Sequence, residues 1–363
     1  MAYQPTRVIL DEEAAHYPFA QKIIERLPEA LIEIIPAAKS AEILNQLPPV
    51  TEGAKKILHL KKFQGSPLKL CPGFTDSLLC CNYQVIDLIE NCPLECSYCI
   101  LQAFLSKPII SLHVNVEEMV AGIKATIATE PNRFFRVGTG EHSDSLAMDH
   151  LFQVNPYLIE EFAKIPNASL ELKSKTAYVD NLIGLKHGGK AVIAFSLNPS
   201  EIVSTEELKT ANLRQRFEAA EKVKNDGYKL AFHFDPLIYY PDWEAGYKKV
   251  IDEIFERFAP KEIAWISMGT LRYIPKLKEI AMERFKDPKI FSGEFISGDG
   301  KMKYLKAVRK ELISTISGWI TEKSKGDTPL YICMEKQSLW KSCMPQQFAD
   351  HESLEKYLST NLI

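Results

Sequence analysis

Six short apolar segments rich in β-branched residues recur along the middle of the chain and alternate with helical patterns. They begin at Gln84, Arg133, Leu170, Ala191, Lys229 and Glu262. The stretches between them place apolar residues three and four positions apart, which predicts amphipathic helices. Strands that alternate with helices form a parallel sheet wound as βα units. The sequence therefore predicts an α/β fold, either an open doubly wound sheet or a partial barrel, with its chemistry at the carboxyl ends of the strands.

The helical patterns can be placed individually. The first runs from Glu12 to Arg26, and the others are VEEMVAGIKATI, HLFQVNPYLIEEFA, AYVDNLIGLKH, LRQRFEAAEKVKND and WEAGYKKVIDEIFERF. The segments LIEIIP and PLYICME predict further strands near the two ends of the chain. A basic helix near the carboxyl end is expected to carry Lys303, Lys306 and Lys310 on one face.

The composition of the 363-residue chain, with 46% hydrophobic and 25% charged residues, is that of a soluble globular protein. Acidic residues interrupt the first fifteen positions, so no signal peptide is predicted. No stretch approaches the roughly 18 uninterrupted apolar residues of a membrane span. We therefore expect a cytoplasmic protein without a membrane partner, in which eight reduced cysteines serve metal binding or catalysis. A net charge of −3 excludes a protein that coats nucleic acid.

The segment NCPLECSYCILQ places Cys92, Cys96 and Cys99 directly after the first of the six strands. Four thiolates close a structural zinc site, and four are the usual complement of a cubane iron–sulfur cluster. Three cysteines leave one coordination position open for a substrate or a cofactor. The triplet therefore predicts an iron–sulfur cluster with one accessible iron.

Two other interpretations of the triplet are open. A zinc ion would take a distant fourth ligand, for which the candidates are Cys71, Cys80, Cys81 and His142. Alternatively, the three cysteines are apolar residues of a buried core. The polar Glu95 and Ser97 between them do not favour this interpretation.

The CxxxCxxC spacing after the first strand of a βα alternation resembles the radical S-adenosylmethionine (SAM) superfamily. More narrowly, four segments between about Cys71 and Phe258 resemble the spore photoproduct lyase family. These are CPGFTDSLLCCNYQVIDLIENCPLECSYCILQ, LKSKTAYVDNLI, VIAFSLN and DPLIYYPDWEAGY. The resemblance implies a partial (β/α)6 TIM-like radical SAM barrel that holds one 4Fe-4S cluster and SAM, whose reductive cleavage gives a 5′-deoxyadenosyl radical. It also implies an external electron donor such as a flavodoxin or a ferredoxin.

The resemblance assigns site residues position by position. It makes the three cysteines of the triplet the cluster ligands and gives Tyr98 a place in a radical relay near SAM, although packing beside the cluster explains Tyr98 equally well. Lys175 and Ser196 match positions that contact SAM, and an Asn198 amide suits the ribose. Gly138 allows close approach of a ligand after the second strand, where Glu141 can accept from the SAM amine.

The sequence departs from the family in two places. Family members carry a cysteine at the end of the second strand that returns a hydrogen atom to the product thymine radical, and we match that position to Gly138. A second family tyrosine is Ile100 here. The departures put repair of a thymine dimer in doubt unless another thiol, such as Cys333 or Cys343, substitutes. A cysteine introduced at position 138 is expected to restore repair in part, if the backbone there tolerates a Cβ.

The features that suit nucleic-acid binding are confined to two short segments of the sequence. The basic helix can meet a phosphate backbone, although such a run is more often a solvated helix face. Tyr239, Tyr240 and Trp243 can stack on an extruded base, or else pack at the barrel mouth.

The sequence thus predicts an N-terminal extension over residues 1–80, a radical SAM barrel over residues 81–288 and a C-terminal appendage over residues 289–363. The first hypothesis is a lyase-like radical SAM enzyme of this family that acts on a nucleic-acid base. A radical SAM enzyme that acts on a metabolite or a protein side chain is the second. A non-enzymatic iron–sulfur or zinc sensing protein is the third.

Overall fold

A computed structural model of the chain describes residues 3–47, 53–75, 77–105 and 107–362. Its strands are β1 (Arg7–Asp11), β2 (Leu31–Ile35), β3 (Ile57–Lys61), β4 (Leu68–Leu70), β5 (Gln84–Ile86), β6 (Ile89–Glu90), β7 (Glu95–Cys96), β8 (Ile110–His113), β9 (Phe135–Gly138), β10 (Ala168–Ser174), β11 (Ala191–Ser196), β12 (Glu207–Leu208), β13 (Lys229–Leu237), β14 (Ile263–Thr270), β15 (Arg272–Tyr273), β16 (Phe295–Gly298), β17 (Lys301–Tyr304) and β18 (Leu330–Ile332). Its α-helices are α1 (Pro18–Glu25), α2 (Ala37–Asn45), α3 (Leu101–Phe104), α4 (Val116–Ala128), α5 (Asp149–Phe152), α6 (Val154–Phe162), α7 (Ser200–Glu206), α8 (Leu213–Asn225), α9 (Trp243–Arg257), α10 (Pro275–Arg284), α11 (Lys306–Ser324), α12 (Gln337–Cys343) and α13 (His351–Ser359).

The largest sheet has the strand order β18-β14-β13-β11-β10-β9-β5-β4. The six predicted strands are β5, β9, β10, β11, β13 and β14, and they lie side by side in chain order. Their pairings are parallel, whereas the edge strand β4 pairs antiparallel with β5. This sheet curls into a partial barrel, which confirms the predicted fold class.

The strands of this sheet are largely buried on both faces because helices cover the outside and side chains fill the inside. All residues of β9, β11 and β14 are buried. The main apolar core is built from residues between Val8 and Leu362 and includes these strands, while a smaller cluster is formed by Ile9, Leu44 and Ile109.

A second sheet, with the order β2-β1-β3-β8-β6, is built mostly from the first part of the chain. The strand prediction for LIEIIP is confirmed by β2. Strand β6 joins this sheet only three residues after β5 ends in the barrel, so the chain changes sheets immediately before the cysteine triplet.

Three helix predictions need correction. The helix predicted from Glu12 is a short 3-10 turn followed by α1, because Pro18 lacks an N–H and restricts the preceding residue. The predicted AYVDNLIGLKH helix is irregular apart from one 3-10 turn at Asp180–Leu182. Its apolar spacing instead reflects Val179 and Leu182, which are buried in the core. The third helix, predicted over HLFQVNPYLIEEFA, is divided into α5 and α6 at Gln153, where φ is 50°.

The predicted domain boundaries stay a prediction. Two strands from outside the predicted barrel range, β4 and β18, pair with strands of the barrel sheet. In the described ranges, no helix combines the length and the apolar character that crossing a membrane requires.

Candidate cluster and SAM site

The predicted site residues meet at one edge of the barrel sheet, where its parallel strands end. Strand β9 ends at Gly138 and β11 ends at Ser196, while Lys175 directly follows β10. Because these strands are parallel neighbours, their carboxyl ends lie side by side. The loops that follow them carry Glu141 and Asn198 to the same edge.

The cysteine loop begins with a turn at Asn91, whose φ is 71°. The Asn91 side chain fixes this turn, since Nδ2 donates to the carbonyl of Ile109 (3.1 Å) and Oδ1 accepts from the N–H of Cys92 (2.8 Å). Cys96 lies in β7, which pairs antiparallel with β12. The N–H of Cys99 donates to the carbonyl of Cys96 (3.2 Å), which leads the chain into α3. The loop is therefore anchored at both ends and in its middle.

The donor set of this loop fits a 4Fe-4S cluster. Cys92 and Cys96 are buried and Cys99 is partly exposed, so three soft sulfur donors stand on one short loop. Burial raises the pKa of the Cys92 thiol to about 12, so this ligand becomes a thiolate when a metal replaces its proton. Within the described residues, no group of three or more His, Cys, Asp or Glu side chains is placed to hold a single metal ion. The cysteines of a cubane cluster bind different irons and need not converge on one point.

Glu207 joins the cysteine loop to the rest of the site, although no sequence motif points to it. Its carboxylate lies 2.6 Å from Nη2 of Arg216, with neither side chain exposed, and accepts hydrogen bonds from the Tyr98 hydroxyl and from Nδ2 of Asn198 (2.9 Å). Despite the opposing effect of burial, the charges of Arg216 and Lys175 hold the pKa of Glu207 at about 2. In the same way, the Ser97 hydroxyl donates a hydrogen bond to the carboxylate of Glu206, the residue before Glu207. Both residues between Cys96 and Cys99 are thus fixed by two consecutive glutamates.

Lys175 lies beside the cysteine loop. Its Nζ is 5.7 Å from the centre of the Tyr98 ring, and its backbone N–H donates to Oδ2 of Asp144 (2.7 Å). Asp144 also accepts from the hydroxyl of Ser174 (2.8 Å), so it ties the loop after β9 to the end of β10. The ammonium group is therefore held near the cysteine loop, where a carboxylate-binding group is predicted.

Ser196 and Asn198 differ in what they can offer a ligand. Arg216 binds the backbone carbonyl of Ser196 (2.8 Å). The Asn198 side chain is buried, and its amide donates to Glu207 and accepts from the hydroxyl of Tyr247 (2.8 Å). Asn198 thus braces Glu207, whereas the role predicted for it at the ribose stays a prediction.

The end of β9 does not have the open space that we expected at Gly138. A Cβ built there would overlap the hydroxyl oxygen of Tyr83 and lie 2.7 Å from Cζ of that ring and 2.9 Å from the carbonyl oxygen of Glu171. The condition attached to a cysteine at position 138, that the backbone tolerates a Cβ, is therefore not met while Tyr83 fills that space, and the restored repair itself stays a prediction. Farther along the loop, Glu141 pairs with Nζ of Lys173 (3.0 Å), and this charge lowers the pKa of Glu141.

Below this edge, the barrel interior holds buried polar side chains. His233 lies 2.5 Å from Oε1 of Glu171 and 2.9 Å from the hydroxyl of Ser267. Arg136 is buried over the Trp265 ring at 4.1 Å. His233 is therefore a paired residue of the interior.

The residues proposed as a fourth zinc ligand lie in two places. Cys71, Cys80 and Cys81 line one cavity together with Cys333. His142 lies with Nδ1 2.7 Å from Oδ1 of Asp87, and this pair raises the pKa of His142. Cys343 is elsewhere, in α12, with its sulfur 3.8 Å from the carbonyl of Lys310.

Only some of the residues considered for nucleic-acid contact are exposed or lie on the predicted basic helix. Lys303 lies in strand β17 rather than in the basic helix, because β17 and β16 form a hairpin before α11 begins. Lys306 and Lys310 are exposed on α11. Of the three aromatic residues, Tyr239 is exposed, while Trp243 is buried and packs near Trp319 (6.4 Å between ring centroids).

Comparison with protein families shows a match between residues 3–313 and the model described as spore photoproduct lyase. The chain is 29% identical over 259 residues to the spore photoproduct lyase of Bacillus subtilis, covering 69% of this chain and 73% of that protein. It is 26% identical over 334 residues to the spore photoproduct lyase of a Geobacillus species, and the match covers 88% of this chain and 95% of that protein.

Solved structures of spore photoproduct lyase share the fold. A cysteine-to-alanine variant with dinucleoside spore photoproduct superposes with a TM-score of 0.79 at 24% identity, covering 92% of this chain and 99% of that one. A double variant with bound S-adenosylmethionine and the same dinucleoside gives a TM-score of 0.78 at 25% identity and the same coverage.

Proposed function

Because the chain belongs to the spore photoproduct lyase family and is a radical SAM enzyme, we propose that it abstracts hydrogen from a thymine lesion in DNA. The observation that carries the proposal is the buried cysteine loop, which two consecutive glutamates fix at the carboxyl edge of the barrel. A 4Fe-4S cluster and SAM, when bound, supply the radical that begins the reaction.

Different residues of the site would bind the cluster and SAM. Cys92, Cys96 and Cys99 would hold the cluster. Lys175 would pair with the SAM carboxylate, since Asp144 fixes its backbone and the Tyr98 ring lies beneath its ammonium group. Ser196, at the end of β11, would bind a ribose oxygen.

Glu141 and Tyr98 have more indirect support. Glu141 stays ionised because of Lys173, so it can accept from the amine of SAM. The hydroxyl proton of Tyr98 is held by Glu207. This bond favours a role for Tyr98 in positioning Lys175 and Glu207, and its role in a radical relay stays a prediction.

The substrate class rests on the relatives together with the local surface. The solved relatives hold dinucleoside spore photoproduct. In this chain, the exposed Tyr239 ring and the exposed Lys306 and Lys310 side chains provide stacking and phosphate-binding groups.

An external one-electron donor, such as a flavodoxin or a ferredoxin, would reduce the cluster from the side of α3. Ile100 and Phe104 are exposed there, next to the partly exposed Cys99. Lys55, Lys209 and Arg284 all lie within 3.8 Å of the Glu95 carboxylate, so three basic side chains surround one acidic group there. An acidic carrier protein would complement these basic side chains.

The test is anaerobic reconstitution with iron and sulfide, followed by reduction with dithionite in the presence of SAM and dinucleoside spore photoproduct. The proposal expects a brown protein that forms 5′-deoxyadenosine and converts the dinucleoside to thymidine. Deoxyadenosine formation without conversion of the dinucleoside would instead favour a metabolite or a protein side chain as substrate. A protein that binds iron without cleaving SAM would contradict an enzymatic role.

A further inference from the structure

Four thiols line one cavity beside the candidate site. The cavity is formed by the segment between β4 and β5 and by the end of β18, and its walls include Cys71, Cys80, Cys81, Cys333, Tyr83 and Tyr331. None of these cysteines belongs to the cluster triplet. A reduced thiol is both a soft ligand and a source of hydrogen atoms, so a group of them beside a radical site calls for an explanation.

Cys71 is connected to the barrel edge through Tyr83. Its backbone N–H donates to the carbonyl of Tyr83 (2.9 Å), and the hydroxyl of Tyr83 in turn fills the space above Gly138. The charges of Glu141 and Lys173 both act on the pKa of the Cys71 thiol. Cys71 is therefore linked through Tyr83 to Gly138, the last residue of β9.

The hydrogen of the Cys71 thiol is available. The Cys71 sulfur accepts a hydrogen bond from the N–H of Gly73 (3.4 Å), and among the described residues no acceptor is found for its own S–H. Cys80 differs, because its sulfur donates to the carbonyl of Gly73 (3.9 Å). Burial raises the pKa of Cys71 to about 12, so the group keeps its hydrogen at neutral pH.

We propose that Cys71 is the hydrogen-atom donor of this enzyme and replaces the thiol that is missing from the end of β9. The inference rests on the proposed function, because it requires a carbon radical on a thymine product. In this step the S–H bond of Cys71 breaks and a C–H bond forms on the thymine carbon. The product is then a closed-shell thymine, and Cys71 is left as a thiyl radical.

The thiyl radical takes up one electron and one proton to return to the thiol. The electron comes from the iron–sulfur or flavin carrier that also reduces the cluster, and the proton comes from solvent. Tyr83 is not the donor in this scheme. Its hydroxyl instead fills the space that a side chain at position 138 would take.

The experiment compares wild type with Cys71→Ser, Tyr83→Phe and Cys343→Ser, all reconstituted and supplied with SAM, dithionite and dinucleoside spore photoproduct. Cys343 is the matched control, since its thiol lies away from the cavity in α12. We expect Cys71→Ser to lose thymidine formation, to accumulate dithionite adducts of the product radical and to keep deoxyadenosine formation. Tyr83→Phe and Cys343→Ser should still form thymidine.

A second measurement needs neither the cluster nor turnover. In cluster-free wild type, saturating dinucleoside should slow alkylation of Cys71 by iodoacetamide, read by peptide mass spectrometry, and should leave the rate at Cys343 unchanged. Equal alkylation of Cys71 with and without the dinucleoside would overturn the inference, as would thymidine formation by Cys71→Ser at the wild-type rate. If wild type itself cleaves SAM but does not convert the dinucleoside, the proposed substrate fails and the inference fails with it.

Discussion

Glu207 and Arg216 form an ion pair at 2.6 Å in which neither side chain is exposed to solvent. The two residues are nine positions apart, yet through Tyr98 and through the pairing of β12 with β7 they hold the cysteine loop, more than a hundred residues earlier in the chain. A buried charge that loses its partner is costly, so this pair can be tested directly.

The first prediction is that Glu207→Gln lowers the free energy of unfolding by about 3 kcal/mol, because it leaves the buried Arg216 without a countercharge. Urea unfolding of the cluster-free protein measures this. The matched control is Glu201→Gln, which changes an exposed residue of α7 and should have little effect. Equal stability of the two variants would show that Glu207 is not the anchor.

The second prediction concerns the contact between Gly138 and Tyr83. Gly138→Ala should destabilise the protein by about 2 kcal/mol, because its Cβ would collide with the Tyr83 ring and the backbone. The penalty should shrink when the same change is made in a Tyr83→Ala background, since the ring is then gone. Strictly additive effects in this double-mutant cycle would mean that Tyr83 does not limit the space at position 138.

The third prediction is that alanine at Cys92, Cys96 or Cys99 abolishes the cluster, because two thiolates do not hold a cubane that normally uses four. Iron and sulfide analysis after anaerobic reconstitution provides the measurement. Cys343→Ala should keep the wild-type iron content. If a single triplet variant retained full iron content together with SAM cleavage, the ligand assignment would be incorrect.

The fourth prediction is that Lys175→Ala weakens SAM binding by roughly ten- to a hundredfold, which corresponds to the loss of one charge-assisted contact. The cluster should remain, because Lys175 is not a ligand. Equilibrium binding of SAM and iron content are measured together, with the exposed Lys186→Ala as control. An unchanged dissociation constant for SAM would remove Lys175 from the site. Ser196→Ala should weaken SAM binding in the same direction.

The fifth prediction is a pH dependence of stability from Asp149. Burial raises the pKa of this carboxyl to about 6 in the folded protein. The folded state therefore keeps the proton that the unfolded chain releases near pH 4, and stability falls as the pH rises from about 4 to about 6. Asp149→Asn mimics the protonated form. Its stability relative to wild type should grow by about 2 kcal/mol between pH 4 and pH 7, and a pH-independent difference between the two would contradict the raised pKa.

Much of the fold was predictable because its signals are local. The six central strands are largely buried on both faces, so their segments are rich in apolar residues even where a polar residue such as Arg136 or Glu171 interrupts them, and all six were identified correctly. The helix predictions failed where the backbone conformation of a single residue begins or interrupts a helix, as at Pro18 and Gln153. The AYVDNLIGLKH segment failed for another reason, since its apolar residues pack into the core without forming a helix.

The cysteine triplet and its place after a strand were evident from the sequence alone, because the spacing of ligands on one loop is a local property. The supports of that loop were not. Tyr98 and Glu207 are 109 positions apart. No sequence motif indicates that this glutamate is buried, because its burial depends on the pairing of β12 with β7. Likewise, the sequence showed that position 138 lacks a side chain, but only the packing of Tyr83 against it shows that the space is already filled. Residues adjacent in the chain share local constraints, whereas contacts across the barrel depend on how its strands are arranged, and this arrangement exists only in the folded protein.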